Sequence, residues 1–177
     1  LHLSIRRQRQ MCIRDRVYME VIRGKTAMLF EASTHSAAAL AEATDEQREA
    51  LRTFGDHLGV AFQLVDDLLD YKGDSQTLGK NVGDDLAEGK PTLPLIYTMR
   101  EGTAEQAALV RQAIQKGGLE DLEQIRVAVE ESGALKYTAE LARDYVKRAI
   151  ACLEVLPASE YRDALVELSE FAVARTH

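Results

Sequence analysis

The chain has 177 residues, of which 46% are hydrophobic and 29% charged, and its formal net charge is −7. This composition argues against disorder, and the length predicts a compact domain with a sizeable core. The acidic balance argues against nucleic acid as a partner, and no apolar run approaches the ~20 residues that a membrane span needs. Two cysteines 140 residues apart give neither a metal spacing nor a disulfide framework, which favours a reducing, cytoplasmic location.

Residues 1–16 differ from the rest of the chain in charge. They contain five arginines and one aspartate and so carry +4; because the whole chain carries −7, the other 161 residues carry −11. A basic segment without sustained helical periodicity could bind an anionic surface or be a transit-type segment. We expect instead a spurious or disordered leader, and we take residues 17–177 as the folded part.

The folded part shows the three- and four-residue apolar spacing of α-helices. Two of the predicted helices begin with a capping box, at Thr44–Gln47 and at Thr103–Gln106. No segment alternates as a strand would, so we expect an all-α, antiparallel helical bundle. The pattern predicts helices at 17–41, 44–70, 103–114, 119–131, 134–155 and 159–175.

The segment 73–102 interrupts this helical pattern. It contains five of the eleven glycines and two of the three prolines, mixed with lysines and acids. A long polar loop within a compact domain is usually functional or disordered. The mixture of glycine, lysine and acid favours a functional loop here.

Four polar residues recur on one face of the second predicted helix. Gln63, Asp66, Asp67 and Asp70 are spaced at i, i+3, i+4 and i+7 on an otherwise apolar helix. Like charges at this spacing repel, and their burial without a counter-ion would cost several kcal/mol. A divalent cation removes both costs, and hard oxygen ligands suit Mg²⁺. The alternative is a solvated acidic face, although acids at a helix C-terminus oppose the macrodipole.

Three lysines each directly follow a glycine in the sequence. Lys25 follows Gly24 and precedes Thr26, while Lys80 and Lys90 lie in the glycine-rich loop. A glycine beside a lysine lets the backbone approach a bulky anion. A single lysine is usually a solvated side chain, but three of them with a carboxylate cluster suggest a diphosphate site.

These motifs together resemble the C-terminal half of trans-type polyprenyl diphosphate synthases. The resemblance runs from about residue 17 to the C-terminus, and it is greatest to bacterial octaprenyl-type synthases that make quinone side chains. It implies the isoprenoid synthase fold, a homodimer, and Mg²⁺-dependent condensation of isopentenyl diphosphate with an allylic prenyl diphosphate. The matching segments are Gly24-Lys25-Thr26, FQxxDDxxD at 62–70 and GKNxGDDLxEGKPTLP at 79–94.

The resemblance also implies roles for single residues outside the acidic motif. Lys25 and Lys80 would contact the allylic diphosphate, and Lys90 would be a further cation near the diphosphates. Thr26 and Gln63 would face the developing allylic cation with their oxygens. These roles come from the matched positions in the motifs.

Members of the family carry two aspartate-rich motifs, and this sequence contains the second. The resemblance implies Asp66 as the leading Mg²⁺ ligand, with Asp67 and Asp70 supporting the site. Because no first motif precedes Val17, we expect an N-terminally truncated synthase that is inactive alone. Two alternatives remain: a non-catalytic helical partner subunit of a prenyl synthase, and a helical interaction module with surface acids. Truncation also predicts exposed apolar surface around Val60, Phe62 and Leu64.

Overall fold

The computed structural model describes residues 15–72, 83–117 and 120–174. Within these ranges the chain is helical and contains no strand, which confirms the predicted all-α class. None of the described helices has the length and apolar character needed to cross a membrane. Lys80 and most of the predicted leader lie outside the described residues.

The first predicted helix is confirmed, with an irregular turn at its centre. Helix α1 covers residues 15–22, a π-helical turn covers Arg23–Ala27, and helix α2 covers Met28–Leu40. In the π turn the backbone N–H of Met28 reaches the carbonyl of Arg23, five residues back. Such turns are rare in proteins, but those that occur are often found at functional sites. This one contains Lys25 and Thr26.

Helix α1 starts before the predicted boundary at residue 17. Asp15 is already helical, and its carboxylate forms an ion pair with Arg100. Arg16 pairs with Glu20 one turn later, at 2.9 Å on the surface. The assignment of the preceding residues as a leader stays a prediction.

Helix α3 covers Asp45–Lys72 and carries the predicted acidic motif. Its capping box is present as predicted: the Gln47 N–H donates to Thr44 Oγ1 at 3.3 Å, and the Thr44 N–H donates to Gln47 Oε1 at 3.1 Å. These two bonds satisfy backbone donors that have no partner within the helix.

The prediction of a continuous loop over 73–102 is wrong for its second half. Helix α4 covers Asp84–Ala87, and helix α5 covers Leu93–Glu101. Pro94 lies in the first turn of α5, where a missing N–H removes no helical hydrogen bond. The apolar residues of this turn are buried, so packing stabilises a helix where the proline density suggested a loop.

The remaining helices agree with the predicted pattern to within a few residues. Glycines with positive φ, Gly117 at 66° and Gly133 at 79°, mark the ends of two of them. The capping box at Thr103 is also confirmed. The helices are α6 (Ala104–Lys116), α7 (Leu122–Glu131), α8 (Ala134–Cys152), a 3₁₀ turn (Leu153–Val155) and α9 (Glu160–Ala174).

The described residues form two compact units. The first contains the residues up to Glu20 and Asp66–Thr138; the second contains Val21–Val65 and the chain from Ala139 onwards. In the first unit α5, α6 and α7 pack together around Tyr71, Leu86, Leu95, Val110, Ala113, Ile125, Val129 and Ala134. The core of the second unit consists of Phe54, Leu58, Ala149, Leu153 and Ala172.

The expectation of exposed apolar surface in the middle of α3 is wrong. Val60 and Leu64 are fully buried, and Phe62 is half-buried. Large exposed apolar side chains occur elsewhere, including Val21 on α1 and Leu29 on α2.

Candidate functional site

The C-terminal end of α3 places acidic side chains among buried apolar ones. Leu64 and Leu68 are fully buried on this part of the helix. The helical spacing then carries Asp67 and Asp70 inward, with 2% and 9% of their surface exposed, while Asp66 is half-buried. Packing of the apolar residues therefore offsets the cost of burying two carboxylates.

One of these carboxylates is held by a tyrosine that the sequence motifs do not contain. The Tyr18 hydroxyl donates to Asp67 Oδ2 at 2.5 Å, from a position 49 residues away. Burial, and then the negative charge of Asp67, raise the pKa of Tyr18 well above its usual range. The phenol therefore stays protonated and acts as a hydrogen-bond donor.

One oxygen of the Asp70 carboxyl accepts no hydrogen bond from any residue that the structure describes. Within the described part of the chain, its Oδ2 is buried without a hydrogen-bond partner. Burial is the main cause that raises the pKa of Asp70 to about 6, and the nearby charge of Asp85 adds to it. Backbone N–H groups of Asp84 and Asp85 act in the opposite direction. A carboxyl in this environment is a candidate for binding a cation.

The start of α4 lies beside this end of α3. The Gly83 N–H donates to the Asp70 carbonyl at 3.1 Å, with Gly83 at φ 87°. Lys90 forms ion pairs with Asp85 at 3.3 Å and with Glu88 at 2.5 Å. The hydrogen bond to Glu88 is the main cause that raises the pKa of Lys90. The segment from Gly83 to Lys90 therefore places acidic side chains and a lysine beside the acidic motif of α3. Asp85 was not among the site residues predicted from the sequence.

The donor chemistry around Asp70 fits a hard divalent cation. Among the residues that the structure describes, no group of three or more His, Cys, Asp or Glu side chains is arranged to hold a metal ion. The Oδ2 of Asp70, which accepts no hydrogen bond from the described residues, is nevertheless a hard oxygen ligand, and all the acidic side chains here offer oxygen donors. These residue types therefore suit Mg²⁺.

A separate polar pair lies in the second unit. Thr26 Oγ1 donates to Gln63 Oε1 at 2.7 Å, and Gln63 is buried with 8% exposed. Lys25 is exposed on the same π turn, and Gly24 before it has open space where a Cβ would lie. The structure thus brings together Thr26 and Gln63, two residues that the sequence places 37 positions apart.

Comparison with known proteins identifies the family. The sequence model of the polyprenyl synthetase family matches residues 3–132, which is well over half of the chain. The octaprenyl diphosphate synthase of Haemophilus influenzae is 49% identical over 161 residues, covering 90% of this chain and 49% of that protein. The Escherichia coli octaprenyl diphosphate synthase is also 49% identical, over 92% of this chain and 51% of that protein.

Solved structures agree with the sequence relatives. A polyprenyl synthase from Caulobacter crescentus, complexed with calcium and isoprenyl diphosphate, is similar with a TM-score of 0.85 and 44% identity. The match covers 91% of this chain and 50% of that one. A decaprenyl diphosphate synthase from Rhodobacter capsulatus is similar with a TM-score of 0.84 and 38% identity, over 92% and 51% of the two chains.

The chain spans about half the length of the curated relatives that it matches. Its helical fold is the isoprenoid synthase fold of these structures, as the sequence motifs imply. The match across residues 3–132 includes the acidic motif of α3 and the glycine- and lysine-rich segment that follows it. The chain belongs to the polyprenyl synthetase family.

Proposed function

We propose that the chain functions as part of a trans-prenyltransferase, an enzyme that condenses isopentenyl diphosphate with an allylic prenyl diphosphate. The observation that carries the proposal is the end of α3, where a buried carboxyl of the aspartate-rich motif keeps an oxygen without a hydrogen bond among the described residues. Such a group is costly in the free chain unless a cation binds there. The octaprenyl diphosphate synthase relatives support a polyprenyl diphosphate as the product, and we propose a quinone side chain as its destination, as the resemblance of the motifs implies.

The aspartates of α3 are the proposed magnesium ligands, with Asp66 leading and Asp67 and Asp70 supporting. When bound, the ion supplies positive charge that stabilises the diphosphate leaving group. Asp66 is half-buried and so accessible to an ion that keeps part of its water shell. The buried carboxyls contribute negative charge in surroundings where water screens it less.

Other side chains would bind the substrate and stabilise its charge. Lys25 and Lys80 are the proposed contacts to the allylic diphosphate, and Lys90 is a further cation. The Thr26 proton is directed to Gln63, so the Thr26 lone pairs remain available to face positive charge on the substrate. Apolar surroundings would exclude water that could capture an allylic cation.

Metal and diphosphate binding can be tested on the 177-residue chain directly. Calorimetric titration with Mg²⁺ and inorganic pyrophosphate should show binding that Asp66→Asn and Lys80→Ala each weaken at least tenfold. Asp144→Asn is the matched control, because Asp144 is an exposed acid on α8 that is 3.8 Å from Lys147. Equal binding by all four chains would contradict the proposal and favour a helical interaction module.

Activity, assembly and location complete the proposal. The chain spans about half the length of its curated relatives and is expected to be inactive alone, so a clear Mg²⁺-dependent prenyl transfer by the purified 177-residue chain would contradict that expectation. A non-catalytic partner subunit would instead change the rate of a complete synthase when added to it. We further propose a homodimer for the whole enzyme and a cytoplasmic location.

A further inference from the structure

A very close backbone contact joins the middle of α3 to the π turn. A Cβ added at Gly59 would lie 2.5 Å from the Cα of Ala27, and Ala27 is fully buried. Gly55, one turn earlier on α3, is similarly close to α2, since its Cβ would lie 2.6 Å from the carbonyl oxygen of Phe30. Only a residue without a side chain allows the two backbones to come this near to each other.

The contact at Gly59 is adjacent in sequence to both members of the polar pair in the second unit. Thr26 directly precedes Ala27, and Gln63 follows Gly59 by one helical turn. Because residues four positions apart lie on the same face of a helix, Gly59 and Gln63 both face the π turn. The Thr26 hydroxyl donates to Gln63 Oε1 at 2.7 Å from this position.

The wide turn of the π helix brings Ala27 to the contact. Ile22 and Ala27 are consecutive buried residues that lie five positions apart, whereas a regular α-helix repeats its buried face every three or four residues. The π turn therefore directs Ala27 at α3, and the absent side chain of Gly59 leaves room for its backbone.

We infer that Gly59 is a positioning residue, because its lack of a side chain sets the helix separation at which the Thr26 hydroxyl reaches Gln63. The inference deepens the proposed function, from which it takes the role of these two side chains toward the substrate. A shift of about 1 Å would stretch the bond from 2.7 Å to beyond the range of a good hydrogen bond. The oxygens proposed to face the allylic cation would then be misplaced.

The test is a double-mutant cycle on the polar pair, made in the 177-residue chain with and without Gly59→Ala. Thr26→Val removes the donor and Gln63→Met removes the acceptor, and the effects of other interactions of Gln63 cancel in the cycle. With Gly59 in place, the coupling should be about fivefold in the unfolding equilibrium constant, measured by urea denaturation with circular dichroism. With Gly59→Ala the coupling should be lost.

Gly24→Ala is the matched control, since Gly24 lies in the same π turn and a Cβ there would meet nothing within 4 Å. The coupling should stay about fivefold in this background. A merely structural role of Gly59 would destabilise all four chains of the cycle equally and leave the coupling unchanged. Coupling that persists in Gly59→Ala, that is also lost in Gly24→Ala, or that is absent with Gly59 in place would overturn the inference.

The measurement does not depend on full stability of Gly59→Ala in buffer. If too little of that chain is folded, all the chains are compared in trimethylamine N-oxide, an osmolyte that favours the folded state because it is excluded from the protein surface. Both cycles then refer to the same solution, and the same outcomes support or overturn the inference.

The outcomes also distinguish this inference from the proposed function, because the coupling is measured without metal or diphosphate. If the coupling depends on Gly59 but the chain binds neither Mg²⁺ nor pyrophosphate, the positioning by Gly59 stands and the proposed function fails. If the chain binds both and the coupling persists in Gly59→Ala, only the role of Gly59 is overturned.

Discussion

Helix α3 carries acidic side chains at both of its ends, and their environments are opposite. Near its N-terminus, Glu49 is exposed and accepts a hydrogen bond from Arg52 at 2.5 Å. That bond is the main cause that lowers the pKa of Glu49. Near the C-terminus, Asp70 is buried beside Asp85, and burial raises the pKa of Asp70 to about 6.

The difference separates an acid that an arginine of the same helix pairs with from an acid that we propose binds a cation. The exposed acid is satisfied within the protein by an arginine three residues later, and such surface pairs contribute little to stability. Burial of the other acid costs free energy in the absence of a cation, which supports the proposed metal site. The four substitutions below test this contrast along α3.

The largest effect is expected in the middle of α3, between the two sets of acids. In Gly59→Ala the new Cβ would lie 2.5 Å from the Ala27 Cα, so the backbones must move apart. We expect a loss of about 3 kcal/mol in the free energy of unfolding, measured by urea denaturation. The π turn carrying Thr26 should be displaced as well, because Ala27 is its last residue.

Gly24→Ala is the control for this substitution. A Cβ at Gly24 would meet nothing within 4 Å, and alanine favours helix, so stability should stay equal or rise by up to about 1 kcal/mol. Similar losses from the two glycine variants would contradict the close approach at Gly59.

The second effect is expected at the buried end of α3. Because the pKa of Asp70 in the folded chain is about 6 and its ordinary value is 3.8, folding favours the protonated form. The stabilisation of the folded chain that this pKa shift provides is fully present below about pH 4 and is lost as the pH rises through 6. Asp70→Asn should therefore raise the free energy of unfolding at pH 8, without metal, by about 2 kcal/mol.

Bound Mg²⁺ should reverse the order of stability of the unaltered chain and Asp70→Asn. Mg²⁺ stabilises a chain more the more tightly the chain binds it, so excess Mg²⁺ should raise the urea midpoint of the unaltered chain more than that of Asp70→Asn, which keeps Asp66 and Asp67. If the unfolding free energies of the two chains changed in parallel between pH 4 and pH 8, the proposed difference between the two ends of α3 would be contradicted.

A smaller effect is expected at the cap that starts α3. Thr44→Ala removes the acceptor of the Gln47 N–H and should cost about 1 kcal/mol of unfolding free energy. Thr44→Ser keeps a hydroxyl acceptor and should retain most of the stability. Equal losses from the alanine and serine variants would show that the capping bond is not the cause.

Local signals explain which parts of the fold could be predicted from the sequence. A capping box is read over four residues, and apolar periodicity over a few turns, so Thr44 and the limits of most helices were predictable. Helix α5 was not, because Pro94 indicates a loop until its place in a first helical turn is known. The π turn has no sequence signature comparable to a cap.

The site could be predicted only in part for a similar reason. The spacing of Asp66 and Asp70 on one helix is visible in the sequence. The partner of Asp67 is not, because Tyr18 fits the apolar periodicity of α1 as a core residue. A hydroxyl that bridges 49 residues depends on tertiary packing, which no local pattern encodes. The proximity of Asp85 to Asp70 depends likewise on how the chain returns after α3.

The smallest effect is expected at the exposed end of α3, where the pH dependence should have the opposite sign. Since its hydrogen bond to Arg52 lowers the pKa of Glu49, the stability from this pair is present above about pH 4.5 and is lost as the pH falls. Glu49→Gln should therefore lower the urea midpoint slightly at pH 7, less than Thr44→Ala does, and not at all below pH 3. Because salt screens an exposed pair, the difference at pH 7 should shrink in 0.5 M NaCl, a condition chosen because the Debye length is then only about 4 Å. A loss at pH 7 as large as that from Thr44→Ala, and insensitive to salt, would mean that the acids at the two ends of α3 are not as different as their surroundings indicate.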